Sequence, residues 1–284
     1  MLYLKTFTFP SADMEFNFFM SIKRTCYDSF YPFKILSAHG LRRLDFEPVT
    51  ILYGGNGSGK STALNVIAEK TGICRDSIYN KSNFFLDYVS LCDMDAREDI
   101  PENSRIIASD VFDYMLNIRN LNEGIDLRRE ELFGEYLDAK YSQFQMKLLA
   151  DYEQLKKVNN SRRKTQSRFV RGELIDNVRE YSNGESAFLY FTEKIGENGL
   201  YLLDEPENSL SPKRQVELMS FLEDSARFFG CQFIISTHSP FLLSMDGARI
   251  YNLDRNPVTI ERWTDLENVR TYYDFFKTYE NEFL

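Results

Sequence analysis

Histidine and cysteine are scarce in this chain, with two of the first and four of the second among 284 residues. The cysteines, Cys26, Cys74, Cys92 and Cys231, are scattered and form no C-x-x-C pair. A disulfide framework and a thiolate zinc site are thereby disfavoured, and reduced thiols in a cytoplasmic protein are expected. Long apolar runs are lacking too: the stretch Ala187–Phe191 is far too short to cross a bilayer, so no membrane insertion is expected. The first residues, Met-Leu-Tyr-Leu-Lys-Thr-Phe-Thr-Phe-Pro, have neither the basic head nor the apolar core of a signal peptide. Nor is there an excess of positive charge. With 43 acidic and 34 basic residues the formal net charge is −9, which counts against broad, non-specific nucleic-acid binding but allows a local basic patch. No internal repeat or low-complexity tract is visible.

What is present is a globular composition, 43% hydrophobic and 27% charged, in a chain long enough to bury a real core. Its organising stretch is Gly54-Gly55-Asn56-Gly57-Ser58-Gly59-Lys60-Ser61, which fits G-x-x-x-x-G-K-S/T. Val49–Leu52 reads as a buried strand leading into it, and Thr62–Ala68 as a helix beginning at the loop. Glycines let such a loop wrap a polyphosphate with its N–H groups inward, and the helix N-terminus adds a positive dipole end. Lys60 is expected to reach the β- and γ-phosphates, with the Ser61 hydroxyl on Mg²⁺.

Residues 1–50 read as strands joined by a turn, one set alternating over Leu2–Phe9 and another running from Phe33 through Phe46. Tyr31 or Phe33 could stack on an adenine, although both read more readily as core aromatics in a chain that is 15% aromatic. Thr71–Asn103 is polar and irregular, and Arg105–Ala108 is a short strand broken by Ser109-Asp110. Helical spacing over Val111–Arg119 and Leu127–Leu155 marks a helical insertion, about 111–180, within one domain spanning 1–284. The insertion ends in a basic stretch, 156–171, with Lys156, Lys157, Arg162, Arg163, Lys164, Arg168 and Arg171. This is either a solvated face or a contact surface for nucleic acid or an acidic partner. It has no interleaved aromatic ladder, so single-strand stacking is not supported.

The last third alternates strands and helices: a strand over Gly199–Leu203, a helix over Pro212–Phe228, strands over Cys231–Ser236 and Ala248–Leu253, and an aromatic tail helix over Thr271–Leu284. That order argues for α/β architecture with a mostly parallel sheet and flanking helices. Asp204, ending an apolar strand, is placed to hold Mg²⁺, and Glu205 beside it to polarise an attacking water. His238 follows another buried strand and reads as a sensor of the γ-phosphate. Ser182-Asn183-Gly184-Glu185 precedes a helical run and could offer N–H groups and a hydroxyl to an anion, or simply be a capping box.

Taken together, the P-loop, Ser-Asn-Gly-Glu-Ser, Leu-Leu-Asp-Glu-Pro-Glu-Asn-Ser-Leu-Ser-Pro and Phe-Ile-Ile-Ser-Thr-His-Ser-Pro resemble an ABC-type ATPase. The branch is similar to the soluble RecF/SMC-like enzymes, grouped with bacterial AAA-family ATPases. The resemblance implies ATP and Mg²⁺ as cofactors and a P-loop NTPase fold of ABC-ATPase type; the N-terminal antiparallel strands and the helical insertion read from the residues are not diagnostic of it. It implies phosphate and magnesium binding by Gly54, Gly55, Asn56, Gly57, Ser58, Gly59, Lys60, Ser61 and Thr62. Asp204 matches the Walker B aspartate, Glu205 the catalytic glutamate and His238 the switch histidine, with Ser209-Leu210-Ser211 at the D-loop. Ser182, Gly184 and Glu185 match the signature motif, with Asn183 in place of its usual first glycine. The Q-loop glutamine is missing, and Asp110 stands nearby as a substitute metal ligand.

The same resemblance implies an ATP-sandwiched homodimer in which the signature motif of one copy completes the P-loop site of the other. The expected output is regulation of, or action on, nucleic acid or a partner effector, as in repair and phage defence, with 156–171 making the contact. Two alternatives are the nucleotide-binding subunit of a membrane transporter and a nuclease. The missing glutamine and the insertion disfavour the first, and the want of a second acidic cluster disfavours the second.

Overall fold

The computed structural model describes residues 1–23, 26–27, 29–108, 110–142, 152–171 and 183–283. The chain divides into two compact units, Met1–Phe112 with Asn183–Leu284, and Asp113–Ser182.

The first unit opens with strand β1 (Leu4–Thr8) and helix α1 (Ala12–Ser21). Strands β2 (Arg43–Asp45) and β3 (Val49–Tyr53) lead into helix α2 (Lys60–Thr71). Then come β4 (Cys74–Arg75), α3 (Phe85–Leu91), β5 (Asp93–Ala96) and β6 (Arg105–Ile107). Helix α4 (Asp110–Tyr141) runs on into the second unit, where α5 (Tyr152–Arg163) and α6 (Gln166–Arg171) follow. The first unit resumes with α7 (Asn183–Lys194), β7 (Leu200–Asp204), a 3₁₀ turn over Pro206–Ser209 and α8 (Pro212–Phe228). It closes with β8 (Gln232–Ser236), α9 (Pro240–Leu243), β9 (Arg249–Asn252), β10 (Thr259–Ile260) and α10 (Glu267–Thr278).

The larger sheet has the order β10-β9-β3-β8-β7-β6-β4 and is parallel except for β10. Its central strands read as continuous apolar runs because helices cover both faces of such a sheet. Ile51, Leu52, Leu202, Leu203, Ile234 and Ile235 are fully buried. Each such side chain contributes about 1.5–3 kcal/mol on leaving water. A second, antiparallel sheet has the order β2-β1-β5. Gln232 at the start of β8 ties the two together, accepting from Tyr3 and Leu4 N–H at 2.7 and 2.9 Å and donating to Leu4 O at 2.7 Å.

Four sequence expectations need correction. The segment before β2 is not all strand: Ala12–Ser21 is helical, with Ser11 accepting from Met14 N–H and Asp13 and Glu15 in the first turn. Residues 31–40 form successive turns, and only Arg43–Asp45 of the expected second strand set is extended. Thr71–Asn103 contains α3, β4 and β5. In the second unit the two expected helical stretches begin as one continuous helix, α4, and part of the later stretch lies outside the described residues.

That second unit has its own small core of Leu132, Tyr136, Phe169 and Val170. The Tyr136 hydroxyl donates to Lys164 O at 3.2 Å. Arg162, Arg163, Lys164, Arg168 and Arg171 are exposed around it. Among the described residues no helix is long and apolar enough to cross a membrane.

Candidate active site

The site lies where the parallel strands β3, β8 and β7, adjacent in the sheet, reach their C-terminal ends, the usual ligand crevice of an open α/β sheet. Gly54 leaves β3, and the loop through Gly59 enters α2. Gly59 has φ +93, and a Cβ there would lie 2.8 Å from Leu36 Cδ2, so only glycine fits. Asn56, Gly57 and Ser61 are exposed, whereas Ser58 and Lys60 are buried. The Lys60 ammonium donates to Gly54 O at 2.7 Å and Gly55 O at 3.1 Å, and it lies 2.9 Å from His238 Nε2. The loop therefore holds its lysine folded over the space a phosphate would take.

Asp204 ends β7. Its Oδ1 accepts from Ser61 Oγ at 3.0 Å and from the Ser236 hydroxyl. Burial pushes its carboxyl above the ordinary range, opposed by those two hydroxyl donors, and the neighbouring Glu205 raises it further. A carboxylate so desolvated beside an exposed serine hydroxyl suits Mg²⁺, which binds through one or two protein oxygens, phosphates and water. Ser61 and Asp204 would hold the ion, which neutralises charge on the phosphates when bound.

Glu205 has left-handed backbone angles, φ 48 and ψ 55, which cost a non-glycine residue energy and recur at functional positions. Its N–H is held by Ser236 O at 3.0 Å, which locks the bend. The bend aims its carboxylate inward: Oε1 lies 3.4 Å from His238 Nε2 and 3.8 Å from Lys60 Nζ, and Oε2 accepts from Asn208 Nδ2 at 2.9 Å. His238 and Glu205 are about one-third exposed, at 34% and 29%, so the cluster is open on one side.

Two residues missed in the sequence belong here. Glu207 Oε1 accepts from the Thr237 hydroxyl at 2.7 Å and from the N–H groups of His238 and Ser239 at 2.6 and 3.1 Å. Its only local signal is a second acidic residue after the Asp-Glu pair. Asp254, just past β9, accepts the Gly55 N–H through both oxygens at 2.8 Å and so braces the outer turn of the P-loop. Nothing near it in the sequence marks that role.

A family model described as "ABC transporter" matches residues 43–208, more than half of the chain, including the P-loop, Asp204 and Glu205. The chain belongs to the ABC ATPase family. As an ABC ATPase it binds nucleotide and hydrolyses ATP. A second model, "AAA domain, putative AbiEii toxin, Type IV TA system", matches residues 175–244, which carry the signature stretch, Asp204-Glu205 and His238. Among solved structures, the SMC head domain from Thermotoga maritima is 14% identical, covering 92% of this chain and 99% of that one with a TM-score of 0.40. A dimeric bacterial ABC transporter cassette is 14% identical over 79% of this chain and 90% of that one, with a TM-score of 0.38. A nucleotide-free ATP-binding cassette from an ABC transporter is 15% identical over 82% and 87%, at 0.37. No curated protein matches the sequence.

Thr62 is buried and accepts from the Tyr31 hydroxyl at 3.2 Å, which puts Tyr31 beside α2. Phe33 is a core residue, stacked on Phe18 at 4.6 Å and edge-on to Tyr88 at 5.0 Å. Asp110 opens α4, but its side chain lies outside what is described. Ser182 also lies outside the described residues; Gly184 and Glu185 fall in the first turn of α7, the side chain of Glu185 not being described.

Proposed function

We propose that this ABC ATPase works as an ATP-sandwiched homodimer that regulates or acts on nucleic acid or a partner effector. The observation that carries the reading is the open cluster of Lys60, Glu205 and His238 beside Ser61 and Asp204. Hydrolysis needs an attacking water held in line, developing charge stabilised and bulk water kept out. Glu205 polarises that water, His238 orients it toward the γ-phosphate and Lys60 takes up developing charge, while Ser61 and Asp204 are the residues that would hold Mg²⁺. One side of the cluster faces solvent, so a covering surface is required. The stretch Ser182–Glu185 of a second copy would supply one, with the N–H groups at the start of α7 suited to an anion.

For the partner, the exposed Arg162, Arg163, Lys164, Arg168 and Arg171 of the second unit form a local basic surface on a chain of net charge −9. Glu205→Gln with ATP is expected to elute and scatter as a dimer; a monomer at saturating ATP sinks the sandwich. DNA or RNA is expected to stimulate ATPase activity, and reversing the charge of Arg162, Arg163 and Lys164 to abolish that stimulation. Stimulation that survives the reversal removes the basic surface from the reading.

A second reading is the nucleotide-binding subunit of a transporter, favoured by the description of the family model. Co-purification with a membrane protein would support it.

A further inference from the structure

We infer that Glu207 is a positioning residue for hydrolysis, acting through His238; this rests on the role proposed for His238. The turn after β8, Thr237–Ser239, keeps one bond to the neighbouring strand, from Thr237 N–H to Leu52 O at 3.4 Å, yet the imidazole beyond it must stay within reach of Lys60 and Glu205. Three successive donors of that turn converge on one oxygen of Glu207: the Thr237 hydroxyl and the backbone N–H groups of His238 and Ser239. Successive N–H groups pointing at one anion form a nest, and a carboxylate is the natural side-chain occupant. On the far side Asn268 Nδ2 donates to His238 O at 2.8 Å, and Tyr53 stands edge-on to the ring at 6.3 Å. Ser239 then caps α9 by accepting from Leu242 N–H. The backbone of His238 is thus clamped, its N–H by Glu207 and its C=O by Asn268.

The connection to catalysis is covalent and short. Glu205, Pro206 and Glu207 are consecutive, and Pro206 is buried with its φ fixed by its ring. The first carboxylate stands 3.4 Å from His238 Nε2 while the last holds the backbone that carries the imidazole. One rigid triplet therefore sets both the position of the general base and its separation from the histidine. A glutamine at 207 keeps the size and one acceptor but loses the charge that lets a single oxygen serve three donors.

The test is steady-state ATPase kinetics with thermal melting on Glu207→Gln, His238→Ala and the double variant. Glu207→Gln is expected to lower kcat about ten-fold or more while the KM for ATP stays within about two-fold. In the His238→Ala background the same change should cost nothing further, because the group it positions is gone. A purely structural role would instead lower the melting temperature and multiply through the double variant. Wild-type kcat in Glu207→Gln beside a slow His238→Ala overturns the inference alone, as does full additivity. A His238→Ala enzyme at the wild-type rate overturns the role of His238, and the inference with it. Should Glu207→Gln not fold, Thr237→Val removes one donor and keeps the two backbone ones. Lower kcat at unchanged KM there supports the inference, and wild-type kcat overturns it.

Discussion

Lys60 Nζ sits 2.9 Å from His238 Nε2, joining the P-loop to the turn after β8 across two strands that pair in parallel. The same imidazole nitrogen lies 3.4 Å from Glu205 Oε1, so the lysine, the histidine and the glutamate meet at one point. The lysine is satisfied by Gly54 O, Gly55 O and the histidine. Lys60 would turn the same donors to a γ-phosphate. Lys60→Ala should therefore lose ATP binding, whereas His238→Ala should keep binding and lose about a hundred-fold in turnover. Fluorescent-nucleotide titration and phosphate release separate the two. Unchanged ATP binding in Lys60→Ala defeats the assignment of the P-loop.

Asp204 gives a second prediction, because burial disfavours its charged form more than the Ser236 and Ser61 hydroxyls and the Lys60 ammonium favour it. Asparagine mimics the protonated carboxyl and keeps an acceptor for the Ser61 and Ser236 hydroxyls. Asp204→Asn should therefore melt a few degrees higher than the wild type in the absence of ligand, at about 2–4 °C per kcal/mol. The order should reverse with ATP and Mg²⁺, since a ligand stabilises only the protein that binds it. Differential scanning fluorimetry with and without Mg²⁺ decides. A variant that gains the same Mg²⁺-dependent shift as the wild type removes Asp204 from the metal site.

Glu15 carries a pH effect away from the site. It is 2% exposed, and burial raises its carboxyl above the ordinary range, partly offset by hydrogen bonds from Ser37 Oγ at 2.8 Å and Lys34 N–H at 2.9 Å. A folded pKa above the unfolded one means that the native state binds the extra proton. Stability contributed by this group falls as pH rises from the unfolded value through the raised one, and the full cost is present above it. Glu15→Gln should therefore match the wild type in mild acid and melt progressively higher than it toward neutrality. Melting curves across that range measure the difference. A gap that does not widen with pH rules the charge out.

The strands that build the site were legible because both their faces are buried. Val49–Tyr53, Leu200–Asp204 and Gln232–Ser236 each read as an apolar run, and the side chains at their ends follow from chain order alone. Helix α8 begins at Pro212 and stops at Phe228, as its periodicity and the N-terminal proline predict. The first fifty residues were harder. Helix α1 hides among aromatics, and its signals were the Ser11 cap and the early acids rather than a clean apolar stripe. Glu207 and Asp254 were invisible for a different reason. Their partners, His238 and Gly55, are 31 and 199 positions away, so their roles exist only once the sheet has assembled.

Gln232 makes the last prediction, and it concerns the joint between the two sheets. The residue is fully buried, and its amide satisfies Tyr3 N–H, Leu4 N–H and Leu4 O, with Glu47 O at 3.5 Å. A leucine fills similar space but leaves those backbone groups unpaired, at about 1–3 kcal/mol each. Gln232→Leu should lower stability by about 3 kcal/mol or more, read as a shift of about 6 °C or more in melting temperature. Glutamate would keep the acceptor for both N–H groups but, as a carboxylate, lose the donor to Leu4 O, so it should fall between the two and recover toward the wild type in acid, where protonation supplies an O–H donor. Because Gln232 starts β8 and the His238 turn follows its other end, nucleotide affinity well below the melting temperature should be little changed. A Gln232→Leu protein that melts with the wild type would mean that the antiparallel sheet is held by its apolar face alone.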